Sequence, residues 1–120
     1  MRYALLIYAD QEPWLEMSEE EATKASEESL PRWYALFEEL GKADPNMHGK
    51  ELDDIRTAKT VRVHDGEVFV TDGPFAETKE QIGGLFEVTL PDLDTAIEFA
   101  AKIPTAEHGS IEVRPIVERS

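Results

Sequence analysis

The sequence predicts an α+β domain built on an antiparallel sheet. Three observations lead there. The first strand is apolar on both faces, two amphipathic helices alternate with strand-like segments, and Asp65-Gly66 sits between alternating residues as a hairpin turn. A chain of 120 residues matches one domain, residues 1–120, and can bury about two-thirds of the surface its unfolded form exposes.

Arg2 to Ala9 opens the chain as a strand, with Tyr3, Leu5 and Ile7 on one side and Ala4, Leu6 and Tyr8 on the other, so both sides call for cover. Ser18 followed by Glu21 forms a capping box at the start of a long helix, where the helix dipole also favours the acidic residues. Ala22, Ala25, Ser29, Trp33, Leu36, Phe37 and Leu40 hold one stripe of that helix, with Gly41 expected as its C-terminal cap. Pro31 lies inside the stripe and predicts either a kink near Glu27 to Leu30 or two shorter helices, because an interior proline costs ~3 kcal/mol.

Lys42 to Lys59 carries only Met47, Leu52 and Ile55 as apolar anchors and predicts one short strand plus loop. The hairpin register follows from its turn: His64 opposite Glu67, Val63 opposite Val68, Val61 opposite Val70. The valine face is expected to be buried, with Arg62, Phe69, His64 and Glu67 on the other. Gly83-Gly84 predicts a bulge or tight entry into a strand over Leu85 to Leu90. Pro91-Asp92 opens a second helix with Leu93, Ala96, Ile97, Ala100 and Ile103 as its core stripe, ended by Pro104. Ile111, Val113 and Val117 alternate with charged residues in a last strand, where Pro115 suits an edge.

With the hairpin set aside, the order is β-α-β-β-α-β, the ferredoxin-like plan with both helices on one face of the sheet. The other face stays open. Since the first strand is apolar there too, a homodimer is expected to cover it.

Charge and composition narrow the function. The formal charge of −14 repels phosphate backbones, which excludes direct nucleic-acid binding as an expectation. No run approaches the ~20 apolar residues of a membrane span, and Met1-Arg2-Tyr3 leads straight into strand-like sequence, so a cytoplasmic protein off the membrane is expected. The absence of cysteine removes disulfides, thiolate zinc sites and cysteine nucleophiles together. His48, His64 and His108 lack metal-ligand spacing, the acidic run from Asp10 to Glu21 lacks the pattern of a calcium loop, and Gly83-Gly84 lacks a phosphate-loop context. No metal and no cofactor are expected. No G-x-S-x-G elbow is present, and Ser110 reads as the start of the last strand.

The most informative segment is Thr71 to Glu80, TDGPFAETKE. Gly73, Pro74 and Phe75 shape and anchor a turn, while Asp72, Glu77, Thr78, Lys79 and Glu80 bring two charge types and a hydroxyl close together. The same residues also suit an ordinary solvated turn with exposed charge pairs. The chain resembles the DGPF group of YCII-related proteins through MRYALLIY at 1 to 8, TVRVHDGEVFVTDGPFAETKEQIGG at 60 to 84 and IEVRP at 111 to 115, nearly its whole length. The resemblance implies a dimeric α-β barrel of ferredoxin-like subunits, mostly without an assigned reaction, and an association with extracytoplasmic-function sigma factors. Some members of the wider superfamily resemble enzymes with a His-Asp pair whose histidine lies near the first helix. Here no histidine occurs between Met1 and Met47 and the helix reads SLPRWY at 29 to 34, so that pair is not carried over; Asp10 remains as a site acid. The segment from Lys42 to Lys59 is also more charged and less glycine-rich than the resemblance implies.

Two functions are open on these residues. In the first, a cleft lined by Tyr8, Arg62, Asp72, Thr78, Lys79 and Glu80 binds or transforms a small polar or anionic molecule, Lys79 holding an anionic group and Asp72 or Glu80 moving a proton. In the second, the acidic surface serves a regulatory or interaction module that meets a basic protein surface.

Overall fold

A computed structural model describes residues 1–119. Strand β1 (Arg2–Ala9) lies inside a four-stranded antiparallel sheet of order β2-β5-β1-β6, with β2 at His48–Glu51, β5 at Gln81–Thr89 and β6 at Ser110–Pro115. This is the strand order of a ferredoxin-like fold, as the alternation of strands and helices predicts. The hairpin β3 (Lys59–His64) and β4 (Glu67–Asp72) forms a separate two-stranded sheet.

Register explains which side of each strand is covered. Tyr3, Leu5 and Ile7 of β1 pair with Val88, Phe86 and Gly84 of β5, and with Pro115, Val113 and Ile111 of β6. Against this side lie α2 (Glu19–Ala43) through Leu36 and Leu40, and α3 (Leu93–Lys102) through Ala96 and Ala100, with Leu90 and Ile103 closing the core. Full burial of each large member, Tyr3, Leu5, Leu40, Val88, Leu90 and Ile103, contributes roughly 1.5–3 kcal/mol. Trp33 and Phe37 of α2 set their rings 6.4 and 5.9 Å from Phe86, so the aromatic part of the stripe meets the centre of β5.

Helix α2 starts as predicted. The Ser18 hydroxyl accepts from the Glu21 N–H, and the Glu21 carboxylate accepts from the Ser18 N–H, completing the capping box. The helix then runs unbroken through Pro31, so it does not split in two. Pro31 and Glu27 both face solvent, where water can satisfy the carbonyl that Pro31 leaves without a donor. Gly41 does not end the helix either. It lies within the last turn, and Asp44 is the C-cap, its N–H bonding the Leu40 carbonyl. A four-residue helix, α1 (Glu12–Leu15), precedes α2 in the stretch where the sequence shows only an acidic run.

In α3 the core stripe is Ala96, Phe99, Ala100 and Ile103; Leu93 and Ile97 are half exposed. The i, i+3, i+4, i+7 set that includes Phe99 presents the larger ring to the core, and this turns Leu93 and Ile97 outward. Between Lys42 and Lys59 the chain forms β2 and a single 3₁₀ turn at Ile55–Thr57, matching one short strand plus loop. Val117, expected to continue the last strand, lies past its end at Pro115 and is exposed.

The hairpin has the predicted register, with Val61 opposite Val70, Val63 opposite Val68 and His64 opposite Glu67. Asp65 and Gly66 take φ of 50° and 78°, the left-handed pair that a two-residue turn with the right twist demands. The expected burial of its valine face is contradicted: Val61, Val63, Val68 and Val70 are 60–67% exposed. The arm pairs with no other strand, and within one chain its valine face is left open to solvent. No helix among the described residues is long and apolar enough to cross a membrane.

Candidate functional site

The side of the sheet away from the helices carries polar residues in register across its strands. Its register brings Lys50, Leu85, Leu6 and Glu112 into one row across β2, β5, β1 and β6, and His48, Glu87, Ala4 and Arg114 into the next. At the far end of β1, Tyr8 lies opposite Ser110 on β6 and opposite Ile82 on β5. The β5 partner of Ile7 is Gly84 and that of Tyr8 is Ile82, so Gly83 is an extra residue in the ladder. This is the bulge that Gly83-Gly84 predicts, and such bulges re-aim the chain beside functional sites.

The bulge leads back into the end of TDGPFAETKE. Gln81 reaches the Ala76 and Thr78 carbonyls at 2.9 and 3.1 Å, and the Thr78 hydroxyl donates to the Glu80 carbonyl at 2.7 Å, which closes the segment into a compact turn. Glu80 is thereby held at the sheet edge, where its carboxylate accepts a 2.7 Å hydrogen bond from the Ser110 hydroxyl. One residue pair further along β6, Arg114 donates to Glu112 at 2.5 Å, and the Tyr8 phenol faces the same Glu112 carboxylate at 3.4 Å. Tyr8, Glu80, Ser110, Glu112 and Arg114 therefore make one strip on the open face. Arg114 first, with a smaller contribution from Tyr8, holds the Glu112 carboxyl below its usual range. Glu112 is therefore an ionised acceptor of hydrogen bonds and a poor proton donor.

The other residues singled out in the sequence lie elsewhere. Asp72 ends β4 on the exposed arm, paired across the hairpin with Lys59, whose ammonium lowers its pKa. That carboxylate is ionised and solvated, the opposite of a proton donor raised by burial. Arg62 also lies on the arm, its guanidinium reaching the Phe75 carbonyl at 3.5 Å, and so links the arm to the DGPF turn. Lys79 is exposed beside Glu80. Within a single chain, Tyr8 and Glu80 converge through Ser110, whereas Arg62 and Asp72 stand on the hairpin. Phe75, expected to anchor the turn, is 79% exposed, and the turn is instead held by the hydrogen bonds of Gln81 and Thr78. Asp10 accepts from the Glu12 N–H at 3.1 Å, at the start of α1.

Sequence reasoning missed Ser110, Glu112 and Arg114, because alternation in Ser110–Pro115 shows that they share a side but not that Tyr8 lies across from them. It also missed a cluster on the neighbouring row. His48 lies 2.8 Å from Glu87, whose other oxygen pairs with Arg2, and Asp44 accepts from the Thr89 and Asn46 N–H groups at 2.8 and 2.9 Å. These backbone donors, that of Thr89 first, lower the Asp44 pKa. The cluster ties β1, β2 and β5 together. Among the described residues no group of three or more histidine, aspartate or glutamate side chains is placed to hold a metal ion.

Comparison with known proteins places this architecture. The YCII-related domain matches residues 1–120. The uncharacterized protein R00369 of Rhizobium meliloti (strain 1021) is 37% identical over 118 residues, covering 97% of this chain and 92% of that protein. With the whole length matched and the ferredoxin-like strand order in place, the chain belongs to the YCII-related domain family.

Proposed function

We propose that two copies of the chain stack by their open sheet faces, in the manner of a dimeric α-β barrel, and that a small polar molecule binds where Tyr8, Glu112 and Arg114 meet Glu80 of the TDGPFAETKE segment. The observation that carries this reading is the polar strip itself, in which the Glu80–Ser110 hydrogen bond at the DGPF turn and the Tyr8–Glu112–Arg114 group follow one another along the edge strand β6 and its pairing with β1. Its carboxylates accept from hydroxyl or ammonium groups, and Arg114, with Lys79 at the rim, supplies positive charge for an anionic group. Of the two acids named for proton transfer, Glu80 is the one on this strip, whereas Asp72 stands on the hairpin arm.

Self-stacking is favoured by the row Lys50–Leu85–Leu6–Glu112. Turned over about a two-fold axis along the strands, this row sets Lys50 against Glu112 and Leu85 against Leu6. This row of the open face is therefore complementary to itself in charge and in apolar character.

Thermal unfolding with glycine, malonate or glycerol as probes tests the ligand reading, because anything that binds only the folded state raises its stability. At least one probe is expected to raise Tm in the natural protein and to lose that effect in Glu112→Gln and in Tyr8→Phe. No shift with any probe, or a shift unchanged in both variants, overturns it.

A second reading, a non-catalytic regulatory module associated with an extracytoplasmic-function sigma factor, is favoured by the charge of −14 and by the exposed acidic first turn of α2. It requires a complex with a basic protein surface that weakens as salt is raised. A complex indifferent to salt counts against it.

A further inference from the structure

The β3–β4 arm is amphipathic in a way that one chain does not use. One face carries Val61, Val63, Val68 and Val70, all 60–67% exposed, while the other carries Thr60, Arg62, His64, Glu67, Phe69 and Thr71. A hairpin that is solvated on both sides has no reason to sort its residues this way. A free two-stranded sheet is also marginal in water and gains stability by laying an apolar face on something else. The chain is extended, with a radius of gyration of 16.5 Å against about 13.6 Å for a compact domain of this length, and the arm, which pairs with no other strand, is one of the parts that stand away from its core.

The area a dimer needs points to the occupant. At about 4.8 Å between strands and about 3.4 Å per residue, the four-stranded face offers roughly 400 Å² of plane and one face of the arm roughly 200 Å² more. A stable pair buries about 800 Å² of accessible surface per partner, and laying the arm on the second copy enlarges the footprint of the open face by about half. The molecule is a slab 47 × 45 × 20 Å, so its broad faces are the surfaces through which two copies can share the most area.

We propose that the β3–β4 arm is a clasp between subunits. Its valine face packs on a second copy of the chain, and this contact sets the TDGPFAETKE segment that follows it. The arm is tied to that segment at both levels of its base, by the Thr60 hydroxyl to the Gly73 carbonyl at 2.8 Å and by Arg62 to the Phe75 carbonyl. Docking the arm therefore fixes the turn that presents Glu80, and the site is complete only in the dimer. The clasp rests on the two-copy reading above and adds the surface through which the copies hold each other.

The chain has no cysteine, so a single introduced thiol reports cleanly. Val63→Cys and Glu67→Cys place it near the same turn on opposite faces of the arm. At concentrations where sedimentation equilibrium shows a dimer, the thiol of Val63→Cys is expected to react with iodoacetamide about tenfold more slowly than that of Glu67→Cys. On dilution to monomer the two rates converge. The double variant Val63→Glu, Val68→Lys keeps a favourable cross-strand pair but charges the face, and is expected to raise the dimer Kd at least about tenfold with an unchanged circular dichroism spectrum. A dimer in which both thiols react equally fast, or which the double variant leaves intact, overturns the clasp while face-to-face stacking stands. A natural protein that stays monomeric at every concentration overturns both.

Discussion

The same substitution, glycine to alanine, is expected to act with opposite sign at two places, and the contrast tests the packing around the candidate site. Gly109 immediately precedes β6, where a Cβ would sit 2.2 Å from the Tyr8 carbonyl oxygen and 3.2 Å from both the Thr105 side chain and its carbonyl. Ordinary contact begins near 3.4 Å, so backbone must move by more than 1 Å, and the atom in the way belongs to the central strand. Overpacking of this kind costs roughly 1–3 kcal/mol, and parting β6 from β1 at the Tyr8–Ser110 pair adds lost ladder bonds, for a total of about 3 kcal/mol. At about 3–6 °C per kcal/mol for a chain of this size, Gly109→Ala is expected to lower Tm by roughly 10–15 °C. Gly41, by contrast, lies in the last turn of α2, and a methyl group added there would meet nothing within 4 Å, so Gly41→Ala is expected to stabilise by about 0.5–1 kcal/mol. Differential scanning calorimetry at one fixed protein concentration measures both. A Gly109→Ala protein melting within about 2 °C of the natural one would refute the reasoning, since the β6 entry would then be far looser than the structure describes.

Ser18→Ala removes the hydroxyl that caps α2 and should cost about 1 kcal/mol, read from the shift of the urea midpoint at constant slope. Leu40→Ala, at a fully buried position between α2 and the sheet, should cost about 2–5 kcal/mol in the same assay; less than 1 kcal/mol would mean that the helix is not seated on β5 as described. The pH dependence follows from Asp44, whose folded pKa is lowered by the Thr89 and Asn46 N–H groups. A depressed carboxylate stabilises the fold above its unfolded pKa of about 3.9, and the contribution is lost as pH falls through the folded value. Asp44→Asn should therefore be less stable than the natural protein at neutral pH, with a gap that narrows as pH falls through the unfolded pKa of about 3.9 and on through the lower folded one. A gap that stays constant over that range would rule out the titration of Asp44 as its source.

Most of the fold was legible because its signals are local. The capping box, the hairpin register and the Gly83 bulge each depend on residues a few positions apart whose backbone chemistry has few alternatives. Where the sequence misled, a longer-range contact had overridden a local preference. Pro31 disfavours helix, yet Leu36 and Leu40 beyond it and the capping box before it hold α2 together across the gap. Gly41 suits a helix end, but Asp44, fixed by Thr89 of β5, supplies the stop three residues later. In α3 the choice between Ile97 and Phe99 for the core turns on which side chain fits beneath the sheet, and periodicity alone cannot weigh that.

The candidate site was legible only in half, and the reason lies in how a sheet is assembled. TDGPFAETKE identifies Glu80 because chemically useful residues crowd one short stretch of chain, but its partner Ser110 lies thirty residues away and meets it only through the pairing of β1 with β6. Tyr8 and Glu112 are 104 positions apart and become neighbours by the same pairing. The valine face shows the complementary case. Its alternation sets the register as observed, but the burial it predicts is absent within one chain, since an amphipathic pattern specifies burial without naming what does the burying. The half-open positions of β1 on the side away from the helices, Ala4, Leu6 and Tyr8, make the same demand from the sheet side. One chain leaves both demands unmet, and a second copy stacked on the self-complementary row Lys50–Leu85–Leu6–Glu112 can meet them together. In the proposed dimer the apolar alternation of β1 and that of the hairpin would be two parts of one signal, both covered by the second copy.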